Sequence, residues 1–177
     1  LVVPTSGSTG DPEGVLLTAA ALAASAAATE RRLGGPGRWL LALPVTHVAG
    51  LQVVLRALRA GSAPVPAGGD PADFAAATAA LGPGRRFTSL VPTQLRRLLD
   101  AGSATLDALR SYTAVLLGGA AAPAGLVATA RAAGVPVVVT YGMSETCGGC
   151  VYDGVPLDGV SVDLVEGDRV RIGGPVL

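Results

Sequence analysis

Residues 137–146 run Val137-Val138-Val139-Thr140-Tyr141-Gly142-Met143-Ser144-Glu145-Thr146. Three β-branched apolar residues in a row suit a strand covered on both faces, as in a parallel sheet. Glycine then allows a tight turn, and a hydroxyl and a carboxylate follow it. Ligands of open α/β sheets bind at the carboxyl ends of strands, where this turn would lie. There the hydroxyl could hold a phosphate oxygen and the carboxylate a Mg²⁺. The alternative is a helix start in which Ser144 caps and Glu145 favours the dipole.

Outward from this stretch the same alternation repeats. Strands are predicted at Leu1–Val3, Trp39–Leu43, Phe87–Val91, Ala114–Leu117 and Val137–Thr140, with a weaker one near Ala63–Val65. Helices are predicted over Ala19–Leu33, Val48–Arg59, Pro71–Leu81, Pro92–Leu99 and Pro123–Ala133. Alternating strands and helices predict an α/β fold with a largely parallel sheet flanked by helices. Asp70 before Pro71 reads as an N-cap, and Gly61, Gly82, Gly102 and Gly134 as left-handed helix stops. Beyond Gly154, Val160–Val165 and Arg169–Ile172 alternate around Glu166-Gly167-Asp168, which predicts a β-hairpin. We therefore expect an α/β core over 1–159 and the start of a β subdomain over 160–177. Both ends fall within such elements, so a fragment is expected.

Composition narrows the function. The 177 residues are 50% hydrophobic and 15% charged, enough for a substantial core. Thirteen basic residues balance thirteen acidic ones, which argues against a nucleic-acid surface. All thirteen are Arg, so no lysine chemistry resides in this sequence. No apolar run approaches the ~20 residues of a membrane span, and no signal peptide is evident, so a cytoplasmic protein is expected. Cys147-Gly148-Gly149-Cys150 admits a redox reading, but two thiols and one distant histidine are too few for a zinc site.

Three further stretches could carry chemistry. Thr5-Ser6-Gly7-Ser8-Thr9-Gly10-Asp11-Pro12-Glu13-Gly14 interleaves hydroxyls with glycines, whose backbone N–H groups can cradle phosphate; a surface turn is the alternative. Leu117-Gly118-Gly119-Ala120-Ala121-Ala122-Pro123 follows a strand with residues small enough to leave a groove for a flat ring, or simply to make a close strand–helix turn. Leu43-Pro44-Val45-Thr46-His47-Val48-Ala49-Gly50 holds the sole histidine. The arginine pairs read as solvated faces, although one arginine could anchor a substrate carboxylate.

In wording and order these stretches resemble the motifs of the acyl-adenylate-forming superfamily, which includes acyl-CoA synthetases, adenylation domains and luciferases. The first resembles T-S-G-[ST]-T-G-x-P-K-G, with Glu13 where that signature has Lys; 141–145 resembles Y-G-x-T-E, and 43–50 resembles L-P-x-x-H-x-x-G. The resemblance implies a fragment of the large N-terminal domain of an acyl-CoA synthetase. It implies ATP, Mg²⁺ and CoA as cofactor and co-substrates, and a small-molecule carboxylic acid as substrate. Thr5, Ser6, Gly7, Ser8, Thr9, Gly10, Gly118, Gly119, Ala120, Thr140, Tyr141 and Gly142 would bind nucleotide. Ser144 would act at the α-phosphate and Glu145 at the metal. His47, with Ser89, Thr93 and Gln94 of the Phe87–Leu99 stretch, would border the acyl pocket, and the small residues at 147–150 would line its end.

Within the superfamily, LLALPVTHVAGLQVVLRAL (40–58), FTSLVPTQLRRLL (87–99), AVLLGGAAAP (114–123) and YGMSETCGGCVYDGVPLDGV (141–160) are similar to the branch that ligates 2-succinylbenzoate to CoA. Glu13 and the absence of Lys also admit a homologue that binds ligand without turnover. The ribose-binding Asp and the catalytic Lys of the superfamily would lie beyond these residues, with its small C-terminal domain, and a homo-oligomer is compatible with the sequence.

Reversing a charge beside a polyphosphate changes a Coulomb term of roughly 1 kcal/mol at 4 Å even in bulk water, about fivefold in affinity. Glu13→Lys in the full-length gene product is therefore expected to lower KM for ATP about fivefold or more. ATP–pyrophosphate exchange measures it, and an unchanged KM would place this side chain away from the phosphates.

Overall fold

The computed structural model describes residues 1–4, 14–167 and 169–177. The chain opens on two short strands, β1 (Val2–Pro4) and β2 (Gly14–Leu16), paired antiparallel. Helix α1 (Ala19–Arg32) leads to β3 (Arg38–Leu41), and α2 (Val48–Arg59) to the two-residue β4 (Val65–Pro66). Next come α3 (Pro71–Ala80), β5 (Arg86–Leu90), α4 (Pro92–Asp100) and α5 (Ser103–Arg110). The chain continues through β6 (Ala114–Leu117), α6 (Ala124–Ala132) and β7 (Val137–Met143), then a single 3₁₀ turn, Ser144–Thr146. Strands β8 (Gly148–Tyr152) and β9 (Val155–Pro156) precede the hairpin β10 (Ser161–Val165) and β11 (Arg169–Gly173).

The main sheet has seven strands in the order β4-β3-β5-β6-β7-β8-β9. The first five run parallel, while β7–β8 and β8–β9 are antiparallel. Period-two alternation distributes side chains to two apolar layers. Leu40, Leu90, Val115 and Leu117 meet residues from α3, α4, α5 and α6, including Phe74, Leu95, Leu109 and Leu126. Trp39, Phe87, Ala114 and Leu116 face the other way, onto Ala28 of α1 and Val53 and Ala57 of α2. The Trp39 and Phe87 rings stack at 5.1 Å between centroids.

The predicted helix signals operate. The Asp70 carboxylate accepts from Ala72 N–H at 2.7 Å, and Gly61, Gly82 and Gly134 adopt φ of +75°, +71° and +83°. Gly102, expected only to stop α4, also begins α5, which was not predicted. Eight residues without a capping side chain give that helix no start signal in the sequence. The 160–177 hairpin forms as a separate two-stranded sheet, with Val162 opposite Ile172 and Leu164 opposite Val170. Asp168 of its predicted turn lies outside the described residues.

Helix α4 separates buried from exposed positions sharply: Leu95 is fully buried, whereas Arg96 and Arg97 are exposed. Leu95→Ala is expected to cost about 2–5 kcal/mol and Arg96→Ala within about 0.5 kcal/mol. Urea denaturation of the native protein distinguishes the two.

Candidate active site

A cleft of about 650 Å³ opens at the carboxyl ends of β3, β5, β6 and β7, on the α2 side of the sheet. Three loops and one helix build it, each shaped by a local requirement.

The loop after β3 turns at Pro44, whose carbonyl accepts from His47 N–H at 3.2 Å, and His47 begins α2. A Cβ on Gly50 would collide with the Pro44 carbonyl, so glycine is what lets the loop sit against the first turn of α2. His47 is exposed at the cleft rim.

After β6, Gly118 packs against Thr140, where a Cβ would strike the threonine hydroxyl. Thr140 Oγ1 donates to the Leu117 carbonyl at 3.2 Å, tying the ends of β6 and β7 together. Gly119 holds φ +78°, a left-handed conformation that an L side chain resists.

After β7, the chain makes the 3₁₀ turn that presents Ser144 and Glu145. Thr146, 1% exposed, holds this turn: its hydroxyl accepts from Met143 N–H at 2.9 Å and donates to the Gly148 carbonyl at 2.7 Å. Met143, not Ser144, occupies the cap position, so the Ser144 hydroxyl is not spent on capping. Glu145 is exposed and, among the described residues, makes no ion pair. The backbones of β7 and β8 touch here; a Cβ on Gly142 would overlap the Gly148 carbonyl.

Of the residues singled out in the sequence, His47, Ser89, Gly118, Gly119, Thr140, Gly142, Ser144 and Glu145 line this one cleft. Ala120, Tyr141, Thr93 and Gln94 do not. The amide of Gln94 is committed to the backbone, accepting from Val91 N–H at 3.1 Å and donating to the Ala42 carbonyl at 2.8 Å. Thr93 is exposed on α4, and Tyr141 is exposed on β7 at a register shift between Tyr141 and Gly142. Thr5 to Gly10, together with Glu13, lie outside the described residues.

Among the cleft residues not singled out in the sequence, two on α2 have buried polar atoms without partners. Gln52 is 1% exposed; its Nε2 donates to the carbonyls of Cys147 at 3.0 Å and Leu22 at 3.4 Å, and its Oε1 has no partner. Arg56 is 5% exposed, and its Nε has no partner. Its guanidinium lies 5.2 Å from the Trp39 ring centre and donates one long bond, 3.4 Å, to Tyr152 Oη. Tyr152 Oη also shares a hydrogen bond with Thr29 Oγ1 at 3.0 Å. No carboxylate among the described residues pairs with Arg56. The signal available in sequence was helical spacing: Gln52 and Arg56 stand one turn apart on the face that also buries Val53.

The small residues at 147–150 divide. Gly148 and Gly149 line the cleft, but Cys147 and Cys150 do not. Cys147 takes φ +54° and packs with Val3, Leu17, Ala21 and Leu22. Both thiols are free and buried, and burial pushes both pKa values up, which disfavours the thiolate that redox chemistry needs. No helix among the described residues is long and apolar enough to cross a membrane.

The ends of the parallel strands thus gather glycine turns, an unspent hydroxyl, an exposed carboxylate and a buried arginine around one cleft. The AMP-binding enzyme family profile matches residues 1–176, and the chain belongs to that family. It is 56% identical over 181 residues to a probable 2-succinylbenzoate–CoA ligase of Mycobacterium tuberculosis, a match covering all of this chain and 47% of the relative. It is similar in structure to o-succinylbenzoate CoA synthetase from Bacillus subtilis in complex with the acyl-adenylate intermediate OSB-AMP. That similarity has a TM-score of 0.86 and 27% identity, over 99% of this chain and 40% of the other. The same Bacillus enzyme in complex with ATP and magnesium ion also gives 0.86 and 27%, over 99% and 41%. The chain thus spans about half the length of the mycobacterial relative.

Because the thiols ionise less readily in the folded state, their stabilising contribution is full below the ordinary thiol pKa and is lost as pH rises above it. Native protein is expected to resist alkylation by iodoacetamide at pH 8 at least tenfold better than protein unfolded in urea. Mass spectrometry of Cys147 and Cys150 reads the ratio.

Proposed function

We propose that this chain forms the nucleotide- and acyl-binding core of an AMP-forming acid–CoA ligase acting on 2-succinylbenzoate. The observation that carries the reading is Arg56: a buried cation with no carboxylate partner among the described residues, in the same cleft as Ser144 and Glu145. An unpaired buried guanidinium is costly and is relieved by a carboxylate meeting it with two parallel N–H···O bonds. Along α2, Arg56 stands nine residues, about 13 Å, from the rim residue His47. An acid with a second carboxylate can therefore be held deep while its reacting carboxylate stays near the strand ends. The walls between are apolar, with Val48, Leu90, Val91 and Leu116, and suit an aromatic ring.

The residues present fit a nucleotide with its magnesium. Gly118 and Gly119 present bare backbone to the cleft, and Glu145 offers a hard oxygen ligand for Mg²⁺. ATP supplies the α-phosphorus that the substrate carboxylate attacks, with release of pyrophosphate; the thiol of CoA then displaces AMP to give the thioester. The chain's own work is positional and electrostatic. Arg56 fixes the acid, Ser144 donates toward an α-phosphate oxygen, and Thr146 holds the turn so that Ser144 and Glu145 do not reorganise. Thr5 to Gly10 are assigned the leaving phosphates on their sequence alone. Soluble, cytoplasmic action on small molecules accords with this chemistry.

In the full-length gene product, ATP–pyrophosphate exchange dependent on 2-succinylbenzoate is expected. Arg56→Gln should raise KM for the acid roughly ten- to hundredfold, the worth of hydrogen bonds to a charged group, while kcat falls much less. Exchange that is absent with 2-succinylbenzoate, or a KM untouched by Arg56→Gln, would overturn the proposal. Glu13 supports a second reading, binding without turnover; tight calorimetric binding of 2-succinylbenzoate with no exchange would select it.

A further inference from the structure

Arg56 borders two spaces. Besides the main cleft, it lines a hollow of about 10 Å³, roughly one water in size, together with Glu30, Trp39 and Phe87. Glu30, near the end of α1, is the carboxylate that shares this hollow with it. It is not paired with Arg56: its Oε2 meets Arg59 Nε at 3.2 Å. Arg59 is on the outer surface of α2, its side chain 47% exposed against 26% for Glu30.

The other arginines of this corner are engaged elsewhere. Arg31 Nε meets Asp158 at 3.0 Å, and Arg32 donates to the carbonyls of Val155 and Pro156. Were Arg59 absent, Glu30 would be left beside a buried, unpaired guanidinium. Opposite charges attract more strongly where solvent is excluded, so Arg56 is the cation to which Glu30 would turn. Support for Arg56 on its other sides is neutral: the Trp39 ring and the Tyr152 hydroxyl. Such support orients the guanidinium without satisfying its charge.

Building on the reading of Arg56 as the anchor of a substrate carboxylate, we propose that Arg59 is a positioning residue. By occupying Glu30, it keeps Arg56 uncommitted and open to an acidic ligand. The chain thereby protects its own anion site from an internal carboxylate one helix away.

Calorimetric Kd and steady-state KM for 2-succinylbenzoate, measured on the full-length gene product, test this. Arg59→Gln should raise both about tenfold, leaving kcat and KM for ATP unchanged. Arg59→Lys should behave as the parent. Glu30→Gln alone should be neutral, and the Glu30→Gln/Arg59→Gln pair should recover parental affinity, since no carboxylate remains to capture Arg56. Affinity unaffected by Arg59→Gln, or a defect that persists in the pair, overturns the inference; the second outcome marks a merely structural role. Arg59→Met gives the same reading should Arg59→Gln melt early. Arg56→Gln separates the two levels: if it leaves Kd unchanged, the anchor reading itself fails. If it weakens binding while Arg59→Gln does not, only the role of Arg59 falls.

Discussion

One backbone carbonyl, that of Cys147, holds the site together. It accepts from Ser25 Oγ of α1 at 3.2 Å and from Gln52 Nε2 of α2 at 3.0 Å, all three groups buried. Cys147 directly follows the turn that presents Ser144 and Glu145, and its N–H donates back to the Ser144 carbonyl at 3.0 Å. Two helices and the 144–146 turn therefore converge on a single residue. A buried carbonyl left without donors costs about 1–3 kcal/mol, so the three parts hold their relative positions together or not at all. The left-handed φ of Cys147 aims the carbonyl at the helices, and Gly148 after it lets the chain enter β8 against β7.

This arrangement explains why the sequence was readable where it was. Buried parallel strands have no solvent face, so Ala114–Leu117 is a pure apolar run and its boundaries were recovered residue for residue. Helix α2 was recovered in full as well, bounded by His47 and by the left-handed glycine at 61. The turns expected at Gly118 and Gly142 form, and at each a side chain would meet a definite collision. Eight of the residues assigned to the site meet in one cleft despite coming from four separate stretches of chain.

What was not readable depends on tertiary neighbours. Cys147–Cys150 read as small pocket-lining residues, and the strand Gly148–Tyr152 gave no signal because two glycines and a cysteine weaken it; pairing to β7 overrides that propensity. Gln94 was assigned to the pocket through the resemblance of its segment, yet the backbone of Val91 and Ala42 claims both ends of its amide. Arg56 was not singled out. The sequence allowed that one arginine could anchor a carboxylate without showing which, and only the packing of Trp39 and Tyr152 against α2 shows that Arg56, and not Arg59, is the buried one.

That distinction between two arginines one turn apart is also where stability and function diverge. Arg59 is exposed and paired, a contact of the kind that contributes about 0–1 kcal/mol. Arg56 is buried with an unpaired Nε beside the unpaired Oε1 of Gln52, and each such buried group costs on the order of 1–3 kcal/mol. At Arg56 an apolar residue of similar volume would relieve that cost, whereas at Gln52 it would take a donor from the buried Cys147 carbonyl. Gln52 thus contributes to the fold through Nε2 while its Oε1 stays bare. The Trp39 ring and the Tyr152 hydroxyl orient the Arg56 guanidinium without neutralising its charge. Stability therefore accounts for Gln52 but not for an arginine at 56, because a buried cation costs more in lost hydration than neutral neighbours return.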